Sequence, residues 1–154
     1  MAHATRRRFV KSALAIPLLT LPALSDNATL DHVTIDFTLP KGDDKDDDTL
    51  VSVSVTSRLN NQWNATIAGL QNFAGTDHWE DGSGKHYTYP LDIVTPVTTS
   101  QLTGAIHTTI TIQPNGHDTV KFGYHLELVF SDGNVVQQDR SGIVLDQNNR
   151  TYVS

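Results

Sequence analysis

The sequence predicts an all-β domain, an antiparallel two-sheet β-sandwich of about eight strands, with a small β-barrel as the alternative. Three observations lead there. Apolar and polar residues alternate with period two over several runs, no stretch sustains a helical period, and turn dipeptides punctuate the runs. The first run sets Val33, Ile35, Phe37 and Leu39 against Thr34, Asp36 and Thr38. The second sets Val51, Val53 and Val55 against Ser52, Ser54 and Thr56. Ile106, Thr108, Ile110 and Ile112 form a third row, and Val120, Phe122, Tyr124, Leu126, Leu128 and Phe130 the longest. Each reads as a strand with one buried and one wet face, rich in the β-branched and aromatic residues that suit a pleated surface. Shorter strands fit at 64–70, 86–94, 143–146 and 150–153. Asn115-Gly116 and Asp132-Gly133 favour two-residue hairpin turns, so 103–113, 119–130 and 134–139 are expected to form a three-stranded meander.

Composition narrows the function. The 154 residues suffice for one domain, and without cysteine there is no disulfide framework, thiolate metal site or cysteine nucleophile. Seventeen acidic against 11 basic residues give a net charge of −6, which argues against nucleic acid as a partner. Four of the 11 basic residues (Arg6, Arg7, Arg8 and Lys11) lie in the first 25 positions, where there is no acid. The remainder therefore holds seven basic against 17 acidic groups, a net charge of −10.

Residues 1–25 read as a targeting segment: a basic stretch, then an apolar run from Phe9 to Leu24 that Pro17 and Pro22 interrupt, too short and broken to span a bilayer well. The small residues at its end place cleavage before Asp26. This leaves a single domain of residues 26–154 with no transmembrane anchor. Thr5-Arg6-Arg7-Arg8-Phe9-Val10-Lys11 closely resembles a twin-arginine export signal. The resemblance implies a bacterial protein exported after folding, periplasmic or secreted; an ordinary secretory signal is the alternative.

The acidic surplus is concentrated. Asp43, Asp44, Asp46, Asp47 and Asp48 occupy five of six positions between two strands. Carboxylates so crowded repel one another unless solvated or neutralised, and Ca2+, which takes six to eight oxygen ligands from Asp-rich loops, would neutralise them. The spacing of Asp44, Asp46 and Asp48 matches half of an EF-hand loop, but Thr49 stands where glycine is needed and Val55 where the bidentate Glu belongs, so an EF-hand is rejected. Strand parity strengthens the metal reading. If successive strands run up and down, loop 40–48 shares one end with loop 71–85, carrying Asp77, His78, Trp79, Glu80 and Asp81, and with loop 114–118, carrying His117 and Asp118. The expected ligands are Asp43, Asp44, Asp46 and Asp48, completed by Asp77, Asp81 or Asp118. Trp79, with Tyr87 on the next strand, would offer an aromatic platform for a sugar or lipid, and His78 and His117 would line the same end.

Gly42-Asp43, Asp48-Thr49 and the row Val51 to Val55 also resemble the acidic loop and following strand of calcium-dependent PLAT (lipoxygenase-type) sandwiches. That class would imply Asp43 and Asp48 as ligands, and calcium-assisted docking to lipid surfaces or proteins without catalysis. The leading expectation is an exported, non-catalytic domain that binds Ca2+ and recognises a lipid surface, polysaccharide or protein. The alternatives are a small metal-dependent hydrolase using His78 or His117 with Glu80, and a structural or interaction protein whose acidic loop is merely solvated. His107 and His125, equidistant from the turn near Gly116, are expected to face each other across a hairpin.

Overall fold

In the computed structural model, the described residues are 27–41, 45–59, 62–80, 85–116 and 118–154; residues 1–26, where the sequence leads one to expect a leader and its cleavage site, lie outside them. The order is β1 (Leu30–Thr38), β2 (Leu50–Leu59), β3 (Gln62–Phe73), β4 (His86–Ile93), β5 (His107–Gln113), β6 (Thr119–Phe130), β7 (Val135–Asp146) and β8 (Thr151–Val153). A three-residue 3₁₀ turn at Thr99–Gln101 precedes β5. All strand pairs are antiparallel, in one continuous sheet of order β7-β6-β1-β4-β3-β2-β5-β8. The all-β expectation holds. The sheet curls into a nearly closed barrel, the second of the two architectures the pattern allowed, and its inward rows meet as a sandwich core.

The alternating rows face inward as read. Val33, Ile35 and Phe37, Val53 and Val55, Ile110 and Ile112, and Leu126 and Leu128 are all essentially inaccessible to solvent. At about 25 cal/mol per Å² of apolar surface removed from water, each such side chain contributes roughly 1.5–3 kcal/mol. β4 joins the two halves of the sheet. Its pairs with β1 run from Val33↔Leu91 to Thr38↔His86, while β3 is met only at Ala68↔Ile93 and Gly69↔Asp92. Pro90, just before that second ladder, has no N–H to donate.

Two expectations are corrected. β5 does not pair with β6: it lies between β2 and β8, with Val51↔Ile112 and Val53↔Ile110 among its pairs, while β6 lies between β1 and β7. Gly116 has the positive φ expected (105°), but its turn carries the chain from one half of the barrel to the other. A turn dipeptide reports local backbone shape, whereas partner choice is settled by which faces pack. His107 and His125 therefore do not face each other. His107 Nδ1 contacts the Ser154 carbonyl at 2.8 Å, and His125 lies between Asp139 and Glu127. Second, 134–139 and 143–146 are one strand, β7, with a bulge opposite Phe122/Tyr124 where Gly142 has φ 70°. The Asp132-Gly133 turn does close a hairpin: Phe130 N–H donates to the Asn134 carbonyl, and Gly133 sits at φ 83°.

The outer strands of the open sheet, β7 and β8, face each other across a seam. A side-chain cluster bridges it. The Gln138 carbonyl oxygen of β7 accepts from Thr108 Oγ1 and from the Tyr124 hydroxyl, both at 2.7 Å, and its amide donates to the Ile106 carbonyl at 3.0 Å. Thr108 is fully buried, and its N–H donates to Ser154 Oγ. Tyr124 and Tyr152 meet edge to face beside the cluster.

Candidate functional site: the acidic pole

Strand parity delivers the three charged loops to one end of the barrel. Lys45 and Trp79 form a β-bridge through Lys45 N–H to the Trp79 carbonyl (3.0 Å) and Trp79 N–H to the Lys45 carbonyl (3.3 Å). Asp118 Oδ2 accepts from Thr49 Oγ1 at 2.6 Å and, more weakly, from the Asp46 N–H at 3.4 Å. Asn115 Nδ2 donates to Asp48 Oδ2 at 2.8 Å. His78 Nδ1 lies 3.2 Å from Asp47 Oδ1. Loops following β1, β3 and β5 are thus tied together by side chains far apart in sequence.

At the centre is a residue the sequence reading passed over. Lys45, the one cation within the aspartate run, is 0% exposed. Its Nζ donates to the carbonyls of Ala74 (2.7 Å), Asp46 (2.8 Å) and Thr49 (3.1 Å). Three acceptors require three N–H donors, which only the protonated amine has, so the geometry is that of an ammonium. The ammonium lies 5.4 Å from the Trp79 ring centroid, within cation–π range. Burial pushes its pKa below the usual lysine value, and the negative charges of Asp118, Asp77, Asp47 and Asp46 pull it back up. Ala74 helps form this seat at a cost: its φ is 59°, a left-handed conformation that alanine adopts at about 1–2 kcal/mol.

Trp79 roofs the barrel end. The expectation of an exposed platform is corrected here: Trp79 is 1% exposed. It stacks on Phe37 at 4.8 Å and on Tyr87 at 5.5 Å, and its Nε1–H donates to the Tyr89 hydroxyl at 2.9 Å. The polar neighbours that made this tryptophan look solvent-facing point outward, while the indole is drawn over the open end of the aromatic core. Tyr89 passes the hydrogen-bond chain on, donating to Asp77 Oδ2 at 2.8 Å. Burial first, and the Asp77 carboxylate second, hold the Tyr89 hydroxyl far above the ordinary tyrosine value. The half-buried Tyr87 accepts from the Glu80 N–H at 2.7 Å.

The expected ligands separate as follows. Asp46, Asp48, Asp77 and Asp118 do gather at the pole, the last three with an oxygen held by a neighbouring side chain. His78 faces Asp47, and Glu80 pairs with Lys85. Asp43, Asp44, Asp81 and His117 lie outside the described residues. Among the described residues, no group of three or more His, Asp or Glu side chains is arranged to hold a metal ion. The residues missed were Lys45 and Thr49; the available signal was a single lysine embedded in five aspartates. Compared with family models, curated proteins and solved structures, the chain matches none.

Proposed function

We propose that this chain is an exported binding domain whose acidic pole is organised by its own cation and whose outer carboxylates offer a negative surface to a partner. The observation that supports this is the Lys45 ammonium, seated on three carbonyls beneath Trp79. It supplies internally the positive charge that an aspartate-rich loop otherwise draws from solution. Asp46, Asp47 and Asp48 remain exposed around it. Such a rim repels anionic lipid surfaces and suits a basic segment of another protein. The leader, with its Thr5–Lys11 stretch, supports delivery through the twin-arginine route to the periplasm or medium. In the PLAT-like alternative Ca2+ binds among the outer carboxylates; the exposure of Asp46, Asp47 and Asp48 within one loop favours it.

Calorimetric and thermal titration with Ca2+ decides between the two. On the first reading, about 5 mM Ca2+ leaves the melting temperature unchanged, because no bound state is added to the folded form. A melting temperature that climbs with calcium concentration, and is flattened by Asp46→Asn with Asp48→Asn, would establish the calcium reading instead. Export is tested separately: replacing Arg6 and Arg7 by lysine in a reporter fusion should abolish passage out of the cytoplasm.

A further inference from the structure

Where β7 passes the segment that leads into β5, its inward row is left uncovered. Val136, Gln138 and Arg140 pair with Leu128, Leu126 and Tyr124, all three of them buried. Yet Val136 is 38% exposed, and Arg140 is exposed too. The reason is topological: β7 and β8 are the two ends of the sheet order, and each pairs with one strand only. The Gln138 side chain closes the barrel here, through Thr108 and the Ile106 carbonyl. The inward-row groups on either side of that bridge, Val136 and Arg140, then face a cleft.

The two ends of the cleft differ in chemistry. Toward Val136 it deepens into a cavity of about 270 Å³, walled by Leu102, Ile106, Phe130 and Val135. Roughly 150 Å³ of apolar cavity already admits benzene, so this one has room for a substantial hydrocarbon group. Toward Arg140 the cleft continues as a shallower groove, which shares Ile106 and Val136 with the cavity and has Gln138 among its lining residues. The Gln138 bridge is thus part of the groove's wall and stays intact beneath a ligand. An apolar pocket with a few polar groups at one end is the usual form of a small-molecule site.

The polar end is a cation with donors to spare. Arg140 Nη1 donates to the Asp139 carbonyl at 2.7 Å, and among the described residues no carboxylate lies within ion-pair reach of the guanidinium. Beyond residue 25 the chain carries a net charge of −10, so a guanidinium without an acid beside it calls for a reason. Asp139 also borders the groove, but its Oδ1 is bonded to His125 on the outer face of the sheet. The Arg140 charge is felt instead at the seam: burial raises the pKa of the Tyr124 hydroxyl, and the guanidinium is one of the groups that pull it down. A planar guanidinium matches a carboxylate through two parallel hydrogen bonds.

An apolar cavity joined to a lone cation selects an amphiphilic anion. The spacing sets its length. Arg140 lies four residues beyond Val136 on β7, about 13 Å at 3.3 Å per residue. An extended hydrocarbon advances about 1.25 Å per carbon, given C–C bonds near 1.5 Å and angles near 111°. Roughly ten carbons therefore reach from the guanidinium to the cavity. We propose that this seam is a binding site for a free medium-chain fatty acid, its aliphatic tail in the Leu102–Ile106–Phe130–Val136 cavity and its carboxylate paired with Arg140. The site shares no residue with the acidic pole, so it stands or falls independently of the calcium and export tests.

Methyl-resolved NMR of the full chain, titrated at pH 7.5 with sodium decanoate below its micelle concentration, tests this. The methyl signals of Ile106, Val135 and Val136 should shift and saturate. Matched titrations with 1-decanol should give affinity about tenfold weaker, because the bidentate charge-assisted pair is missing. Arg140→Gln should weaken decanoate by the same factor and leave 1-decanol unchanged. Val136→Trp, a substitution at an exposed position that fills the cleft, should abolish both. Unchanged methyl signals of Ile110 and Leu126 show that each variant keeps its core. Absence of saturable shifts with decanoate overturns the proposal. So does decanol binding as tightly as decanoate, or full decanoate affinity in Arg140→Gln.

Discussion

At the acidic pole, three loops from distant parts of the chain are tied together through one buried lysine; along the seam, two edge strands meet over one glutamine and leave a cleft. The pole carries the most conspicuous charge in the sequence, yet Lys45 and its carbonyls neutralise its centre from within. The seam carries the blandest sequence, Val135-Val136-Gln137-Gln138, yet borders a cleft with exposed valines. A cluster of like charges signals a need for compensation, and the compensating group can be part of the same chain. A sheet edge leaves no trace in local composition, because which strand stands at the end of a sheet is decided by the whole topology.

The contrast can be broken most forcefully at its centre. Lys45→Met leaves three buried carbonyls without their donor and the surrounding carboxylates uncompensated, and should cost about 3–5 kcal/mol in chemical denaturation. A loss below 1 kcal/mol would mean the pole does not depend on its ammonium. Trp79→Ala opens a void above Phe37 and Tyr87 and should cost a comparable 3–5 kcal/mol; an exposed platform would lose almost nothing. At the seam, Gln138→Leu strands the Thr108 and Tyr124 hydroxyls and should cost about 1–3 kcal/mol. Its effect should be accompanied by faster exchange of β8 amides, since the cluster bridges the two edges.

The smallest effect belongs to the outer face between β6 and β7. His125 holds Asp139 at 2.7 Å and Glu127 at 3.1 Å. Hydrogen bonds to Asp139 and then Glu127 raise its pKa above 6.5, and the hydrogen bond from His125 lowers that of Glu127 below 4.5. The histidine contribution is complete below pH 6.5 and is lost as pH rises through its elevated folded value. The Glu127 contribution is present above pH 4.5 and is lost as pH falls through its lowered one. His125→Gln should therefore reduce the melting temperature more at pH 5.5 than at pH 8.5, and an equal reduction at both would show that the cluster is only packing.

Much of the barrel was legible because strict alternation reports one buried face. Val33 to Phe37 and Leu126 to Phe130 could be assigned inward without knowing a single partner. Parity carried that reading as far as the meeting of the loops. Partner choice was not legible: Asn115-Gly116 specifies a local bend, and the pairing of Val51 with Ile112 instead is a contact across 60 residues. Lys45 was hidden by its company, since one lysine among five aspartates reads as part of a solvated charge run. Trp79 was hidden in the same way, flanked by residues that are exposed while it is not. In both cases a side chain reaches away from the polarity of its neighbours, which a window along the sequence averages out.

The seat of Lys45 has a chemical consequence. The chain has five lysines, and the described ones other than Lys45 are exposed. An amine-acylating reagent needs an accessible, unprotonated nitrogen. Lys45 offers it neither access nor a lone pair while its ammonium donates to three carbonyls. Its acylation is thus gated by the opening of the pole, and the rate at which Lys45 alone becomes labelled is a clock for that opening, read out residue by residue in the intact protein.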